Sequence, residues 1–412
     1  MKNRVTVEQL KFGMFVCELD RPWTETPFLY QGFVLDNDDQ LATLRRFCKS
    51  VLVDSDKSLA LRDRADLLTS SKQNPSIPGN VRGVLSTITE RVDYRETTSL
   101  KEELPVALQA KHDTEIVMSR AIDNIHKGGV IDAEELSQAT TKIRDSVVRN
   151  PGAMMLLSRI KEKSEHILDR AFSVSVLSLA FGRYLQLPKL QLDHLGMAAL
   201  LQDIGMINIP DEVRDKSGAL NKVELMLCRS HVAHSVQILS ETVGVPSEVI
   251  DISSKHHERF HGSGYPKGLV GDEIGLLGAI SGLVDFYDAL TRPRSYAETY
   301  APSNALNLIY NARNVLFDGV LAEQFIQCLG IFPLGSVVEL NSGEIGIVVS
   351  QDPAKKLLPR VMLLLDARGA QIRPQLIINL AQNPEAAPRV PYRIKRVLRQ
   401  DSVPINPAEF AL

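Results

Sequence analysis

His256-His257-Glu258-Arg259-Phe260-His261-Gly262-Ser263-Gly264-Tyr265-Pro266 is the stretch from which the rest of the chain is read. Adjacent histidines beside a Gly-x-Gly turn rarely arise from packing alone, because each ring nitrogen needs a partner once buried. They point to a metal-dependent hydrolase. A second stretch, Ala198-Ala199-Leu200-Leu201-Gln202-Asp203-Ile204-Gly205-Met206, has the setting of a His-Asp metal pair but carries glutamine where the histidine belongs. Both stretches lie in a region whose apolar residues recur at three and four spacing, so the ligands would converge from several helices of one bundle.

Working outward, 412 residues are too many for one ordinary core and imply two to four domains. With 44% hydrophobic and 24% charged residues the composition is that of a folded globular protein. A net charge of -3 gives no general pull toward nucleic acid or membrane. Cys17, Cys48, Cys228 and Cys328 have no CxxC or other metal-ligand spacing, which fits a reducing compartment and argues against a disulfide framework. The first residues lack a signal-peptide core, and no stretch reaches the ~18 uninterrupted apolar residues of a membrane span, so a cytoplasmic protein is expected.

Short apolar runs at Met14-Phe15-Val16-Cys17, Phe33-Val34-Leu35 and Val51-Leu52-Val53 predict a β-rich N-terminal module over residues 1–65, with Asp36-Asn37-Asp38-Asp39 as a turn. Residues 66–103, rich in Ser, Asn, Pro and Gly, read as a linker. A helical domain is expected over 104–330, with a break at Gly128-Gly129 and a fresh start at Asp132 backed by Glu135. After Pro333 strands return: Val337–Leu340 and Ile345–Val349 flank the turn residues Asn341 to Glu344, and Val361–Leu365 follows. Residues 331–412 are thus a small β-module with a basic tail. In that tail Arg389, Arg393, Lys395, Arg396 and Arg399 alternate with apolar residues, the pattern of an edge strand with a charged outer face rather than a DNA-binding patch. The fold class is mainly α, an all-helical bundle between two β-rich modules. P-loop, dinucleotide and Gly-x-Ser-x-Gly patterns are absent, which sets those enzyme classes aside.

Asp203, His231, His256, His257 and Asp285 have the chemistry of ligands for Fe, Mn or related divalent ions, and such ligands can hold two ions sharing a hydroxide able to attack a phosphodiester. On a helix His256 and His257 would diverge by about 100°, so a shared centre would lie between their directions. His256-His257-Glu258-Arg259, then Gly262-Ser263-Gly264-Tyr265-Pro266-Lys267-Gly268-Leu269, then Asp285-Phe286-Tyr287-Asp288-Ala289-Leu290-Thr291 resemble the HD-GYP family, a branch of the HD superfamily of metal-dependent phosphohydrolases that degrade cyclic di-GMP. The likeness runs from about Phe172 to Leu306. The N-terminal segment, with Gly13-Met14-Phe15-Val16, Trp23, Pro27-Phe28 and Val53-Asp54, is similar to an uncharacterised domain often found before HD-GYP domains. The resemblance implies metal roles for Asp203, His231, His256, His257 and Asp285, a substrate or partner loop at Gly264, Tyr265 and Pro266, and a phosphate contact at Arg294. It also implies cyclic di-GMP as ligand and diguanylate cyclase (GGDEF) domains as partners, and it allows a homodimer.

Four departures fall on the chemistry. Gln202 replaces the histidine of the His-Asp pair, Phe172 an upstream histidine, Met206 a lysine and His261 an aspartate; Ala297 stands where the family often has another lysine. A glutamine carbonyl is a weak ligand and a phenyl ring is none, so one ion would lose two imidazoles. Methionine supplies no charge to a phosphate oxygen. The expectation is a cyclic di-GMP signalling protein with a degenerate metal site, holding one ion or none and acting mainly by binding nucleotide or partner. The alternatives are a slow phosphodiesterase that depends on Asp203, and a purely structural domain whose remnant polar residues bond one another.

Overall fold

The first three helices of the helical region start at short polar side chains that accept the otherwise orphaned first amides. Ser99 accepts from Glu102 N while Glu102 reaches back to the Ser99 amide, opening helix Leu100–His126. Asp132 accepts from Glu134 N and Glu135 N, so helix Ala133–Arg149 starts where the sequence predicts, just beyond the Gly128-Gly129 break. Asn150 then caps Pro151–Leu157, with proline at the first helical position, where its missing N–H costs nothing. The computed structural model describes residues 2–21, 26, 33–35, 38–54, 84–159, 166–292, 299–351, 355, 357–374 and 376–399. Of the linker expected over 66–103, residues 66–83 lie outside them, and its last residues already belong to helix Leu100–His126.

The chain divides into two units. The helical one takes the described residues of Ile77–Thr299 and Ala312–Cys328; the other is assembled from those of Met1–Ser76, Tyr300–Asn311 and Leu329–Ser402. In the helical unit, His166–Tyr184 and Lys189–Leu201 are apolar on nearly every face and correspondingly buried, including Leu177, Phe181, Leu195 and Leu200. Around them run His231–Glu241, Ser247–Lys255 and Leu276–Thr291. No helix among the described residues is long and apolar enough to cross a membrane.

The second unit carries the sheets. At the N-terminus, Lys2–Thr6, Ser50–Asp54, Phe15–Leu19 and Phe33–Val34 form an antiparallel sheet in that order. Its core gathers Val16, Leu19, Leu35, Leu44, Val51 and Val53. Of the turn expected at Asp36-Asn37-Asp38-Asp39, Asp38 and Asp39 instead open helix Asp38–Phe47, whose Leu44 is buried in that core, and Asp36 and Asn37 lie outside the described residues. Toward the C-terminus a five-stranded antiparallel sheet runs in the order Ile394–Val397, Val337–Leu340, Ile345–Ser350, Arg360–Leu365, Ile377–Asn379. The hairpin expected around Ser342-Gly343 is present, with Gly343 at φ 100°, where a side chain would be strained. Ile394–Val397 is the edge strand: Ile394 and Val397 face the core, while Lys395 and Arg396 bind Glu339. Helix Pro302–Asn311, read in sequence as part of the helical domain, groups with this sheet-bearing unit.

Candidate metal centre

A close approach and a turn of the chain bring the ligands together. Lys189–Leu201 ends at Gln202, and Asp203 leads into the tight turn Ile204–Asn208. A Cβ on Gly205 would lie 2.3 Å from the carbonyl oxygen of His231 and 2.4 Å from the amide of Ser235. Only glycine lets this turn press onto helix His231–Glu241, and that contact sets Asp203 beside His231. Ser235 Oγ locks the turn, donating to the Gln202 carbonyl at 2.8 Å and accepting from Gly205 N at 2.9 Å. The two adjacent histidines do not lie on a helical face as the 100° argument assumed. Ser247–Lys255 ends at His256, and the chain turns at His257, so both rings swing toward the same place.

One ligand atom from each of Asp203, His231, His256 and His257 lies within 4.8 Å of the others. Nδ1 of His231 is 2.7 Å from the Cys228 carbonyl oxygen, and Nδ1 of His256 is 2.7 Å from that of Ser253. A carbonyl only accepts, so both Nδ1 atoms carry a proton, and the tautomer that this fixes turns an Nε2 lone pair inward on each ring. Those Nε2 atoms stand 3.3 Å apart, at 3.3 and 3.7 Å from Asp203 Oδ1. Asp203 Oδ1 is buried without a hydrogen-bond donor. Three acceptors thus converge with no proton among them, an arrangement that fits a cation and is unfavourable without one.

Charge follows the same geometry. Burial opposes ionisation of Asp203, yet the Arg170 guanidinium beside it holds its carboxyl well below the usual carboxylate range. Burial pushes the imidazoles of His231 and His257 down, the latter well down, and both rings stay neutral as ligands must. Burial likewise works against the Arg170 cation, but Asp203 and Asp285 outweigh it and raise its pKa.

Asp285 stands next to this group. Its Oδ2 is 3.8 Å from His257 Nδ1, while its Oδ1 accepts from Gln202 Nε2 at 3.2 Å and from Arg170 Nη2. Gln202 is spanned at both ends: its Oε1 accepts from Ser281 Oγ at 2.7 Å, so the amide turns its N–H side toward Asp285. Phe172 is buried, and Met206 lies in the turn after Asp203. His261 reaches Ser263 Oγ at 3.3 Å and pairs its backbone with Val270, outside the ligand group. Arg294 and Ala297 lie outside the described residues.

The Gly264-Tyr265-Pro266 loop covers the centre from one side. Tyr265 stacks on His257 with ring centroids 4.6 Å apart, and the Arg229 guanidinium lies over the outer face of the tyrosine at 4.8 Å. Buried Glu258 holds the loop, accepting from Lys267 N at 2.7 Å and Leu269 N at 2.9 Å. Sequence reasoning missed Glu258, although it belongs to the His-His-Glu triplet, and assigned it no role. It also missed Arg170, for which two positions before Phe172 on a helix gave no signal.

Comparison with known proteins finds matches along most of the chain. An HD domain model matches residues 155–321, a domain of unknown function (DUF3391) matches residues 2–136, and a KOW domain associated with HD domain matches residues 337–387. A cyclic di-GMP phosphodiesterase of Pseudomonas aeruginosa is 31% identical over 384 residues, covering 93% of this chain and 90% of that protein. The cyclic di-GMP phosphodiesterase response regulator RpfG of Xanthomonas campestris is 40% identical over 126 residues, 30% of this chain and 32% of that protein. A 3'3'-cGAMP-specific phosphodiesterase of Vibrio cholerae is 29% identical over 171 residues, 41% of this chain and 32% of that protein.

Proposed function

The chain belongs to the HD-GYP family, and from that premise we propose that it is a cyclic di-GMP signalling protein whose centre holds a single divalent ion and which acts mainly by binding nucleotide or a protein partner. One observation carries the reading: Asp203 Oδ1 and the Nε2 atoms of His231 and His256 converge without a donor, while the adjoining positions carry Gln202 and Phe172 in place of imidazoles. Asp203, His231, His256 and His257 would hold the ion, and their imidazole and carboxylate donors suit Fe or Mn. When bound, the ion supplies Lewis acidity to a phosphoryl oxygen.

The chain's own residues then divide the work. His231 and His256, each fixed by its Nδ1–H on a carbonyl, keep their tautomer and direction. Tyr265 shields one flank of His257, and Arg229 above it offers a cation for a nucleotide phosphate or an acidic partner surface. Gln202 directs N–H groups where a ligand would need a lone pair, and Met206 brings no charge to a phosphate. Weak turnover follows from these losses.

The test is metal analysis of protein purified without chelator, together with cyclic di-GMP binding and hydrolysis in Fe or Mn. The expected result is one ion per chain, lost in Asp203→Ala, and nucleotide binding without sustained turnover. Two ions and many turnovers would overturn the proposal. The intact four-ligand group favours a second reading, a slow phosphodiesterase; turnover that survives Asp203→Ala unchanged would sink that one.

A further inference from the structure

Asp203 has two sides. Oδ1 faces the imidazoles with nothing donating to it, whereas Oδ2 lies 3.0 Å from Nη1 of Arg170. The other arm of that guanidinium, Nη2, donates to Oδ1 of Asp285, which also receives Gln202 Nε2. Arg170 therefore spans the gap between two carboxylates contributed by different parts of the fold. Its Nε is buried with no hydrogen-bond partner, so the group is held there by its bonds to Asp203 and Asp285 rather than by a complete set of its own.

We propose that Arg170 is a tethered substitute for a second metal ion: its guanidinium occupies the place between Asp203 and Asp285 and thereby limits the centre to one ion. The inference rests on the metal reading given under Proposed function. An ion bound between those carboxylates would need the lone pairs that Arg170 now uses, and it would sit against a fixed positive charge in a poorly solvated site, where like charges repel strongly. The exchange is also coherent with the neighbouring residues. Gln202 and Phe172 remove the neutral donors that would help hold a second ion, but removing the ion alone would leave Asp203 and Asp285 as uncompensated buried anions. Arg170 supplies the missing charge, and its planar fork reaches both carboxylates at once.

The test counts ions by titrating Mn2+ into the metal-free full chain and reads their proximity by electron paramagnetic resonance, where an isolated ion and an exchange-coupled pair differ. With histidines restored as Phe172→His and Gln202→His, the count is expected to stay at one while Arg170 is present. Adding Arg170→Ala to that background should raise it to two, with the spectrum of a coupled pair and second-ion affinity at least about 100-fold tighter. Adding Arg170→Lys instead should keep it at one, because the charge remains in place. A second ion in the histidine-restored chain with Arg170 intact overturns the proposal; this result needs no variant at position 170 and so does not depend on their folding. A second ion in the Arg170→Lys version, or none in a folded Arg170→Ala version, overturns it as well. A parent chain with no ion would sink the one-ion reading itself, whereas the contrast among the histidine-restored variants would still decide the role of Arg170.

Discussion

Glu258 and Gly264 show how little slack the loop over the centre has. A Cβ on Gly264 would sit 2.4 Å from both the Arg259 amide and the Glu258 Cα, atoms of backbone that no rotamer change can move. Gly264→Ala should therefore displace the loop, with a loss of about 1–3 kcal/mol and a melting temperature lower by about 2–4 °C for each of them. Glu258→Gln keeps the volume but replaces one of two carboxylate acceptors with an NH2 group that faces an amide N–H. A loss of about 1.5–3 kcal/mol is expected from the charged acceptor. Tyr265 should loosen from His257 while the ligand residues stay in place, so Mn2+ binding should weaken without being abolished. Thermal melts and metal titration on the two variants check this, and unchanged melts would contradict the latch. The histidines were legible because their pairing is rare in sequence. Arg170 was not, because its partners lie 33 and 115 residues further on, where only the folded bundle brings them.

Among the elements, the ends of the helices decide more than their faces. Asp132 with Glu135 announced a helix start, and the hairpin around Gly343 announced itself by its turn residues, since capping and turn chemistry are local. The end of Ser247–Lys255 was not readable: nothing local stops the periodicity before His256, and the turn there is imposed by what the two rings and Tyr265 pack against. Long-range ties also fix helix Leu100–His126 to Ala133–Arg149. Glu103, 1% exposed at its side chain, accepts from Arg149 Nε at 2.9 Å and Nη2 at 2.8 Å. Burial alone would raise the Glu103 pKa; the bonds from Arg149 bring it below the ordinary glutamate value. The sign follows directly. A carboxyl depressed in the folded state contributes its full stability above the unfolded pKa near 4.5, and loses it as pH falls from there through the folded value. Glu103→Gln should cost about 1.5–3 kcal/mol at neutral pH, and the gap from the parent should narrow below about pH 4.5. Urea titrations across that range measure it, and a gap that widens on acidification would refute the assignment.

For the molecule as a whole, each unit is assembled from stretches that are not contiguous along the chain. The sheet-bearing unit collects a first, a middle and a last stretch of the chain, and the middle one carries Pro302–Asn311, which sequence periodicity assigns to the helical domain. Helical periodicity identifies an amphipathic helix but not the surface it covers. Ala301, just before this helix, belongs to the same core as Phe332, Val338, Val348, Val361 and Ile378, and Ala305, Leu306 and Ile309 are fully buried. A fragment of residues 84–330, a natural cut if the helices formed one domain, would keep the helix and remove the strands that complete its unit. Each buried Leu or Ile laid bare costs about 1.5–3 kcal/mol, and a contiguous apolar patch promotes association. The fragment should therefore bind a hydrophobic dye, self-associate, and melt at least about 5 °C below the full chain, as read by dye fluorescence, light scattering and circular dichroism. A monomeric, dye-silent fragment melting with the full chain would mean that Pro302–Asn311 needs nothing beyond residue 330, and the boundary would return to where sequence periodicity alone puts it.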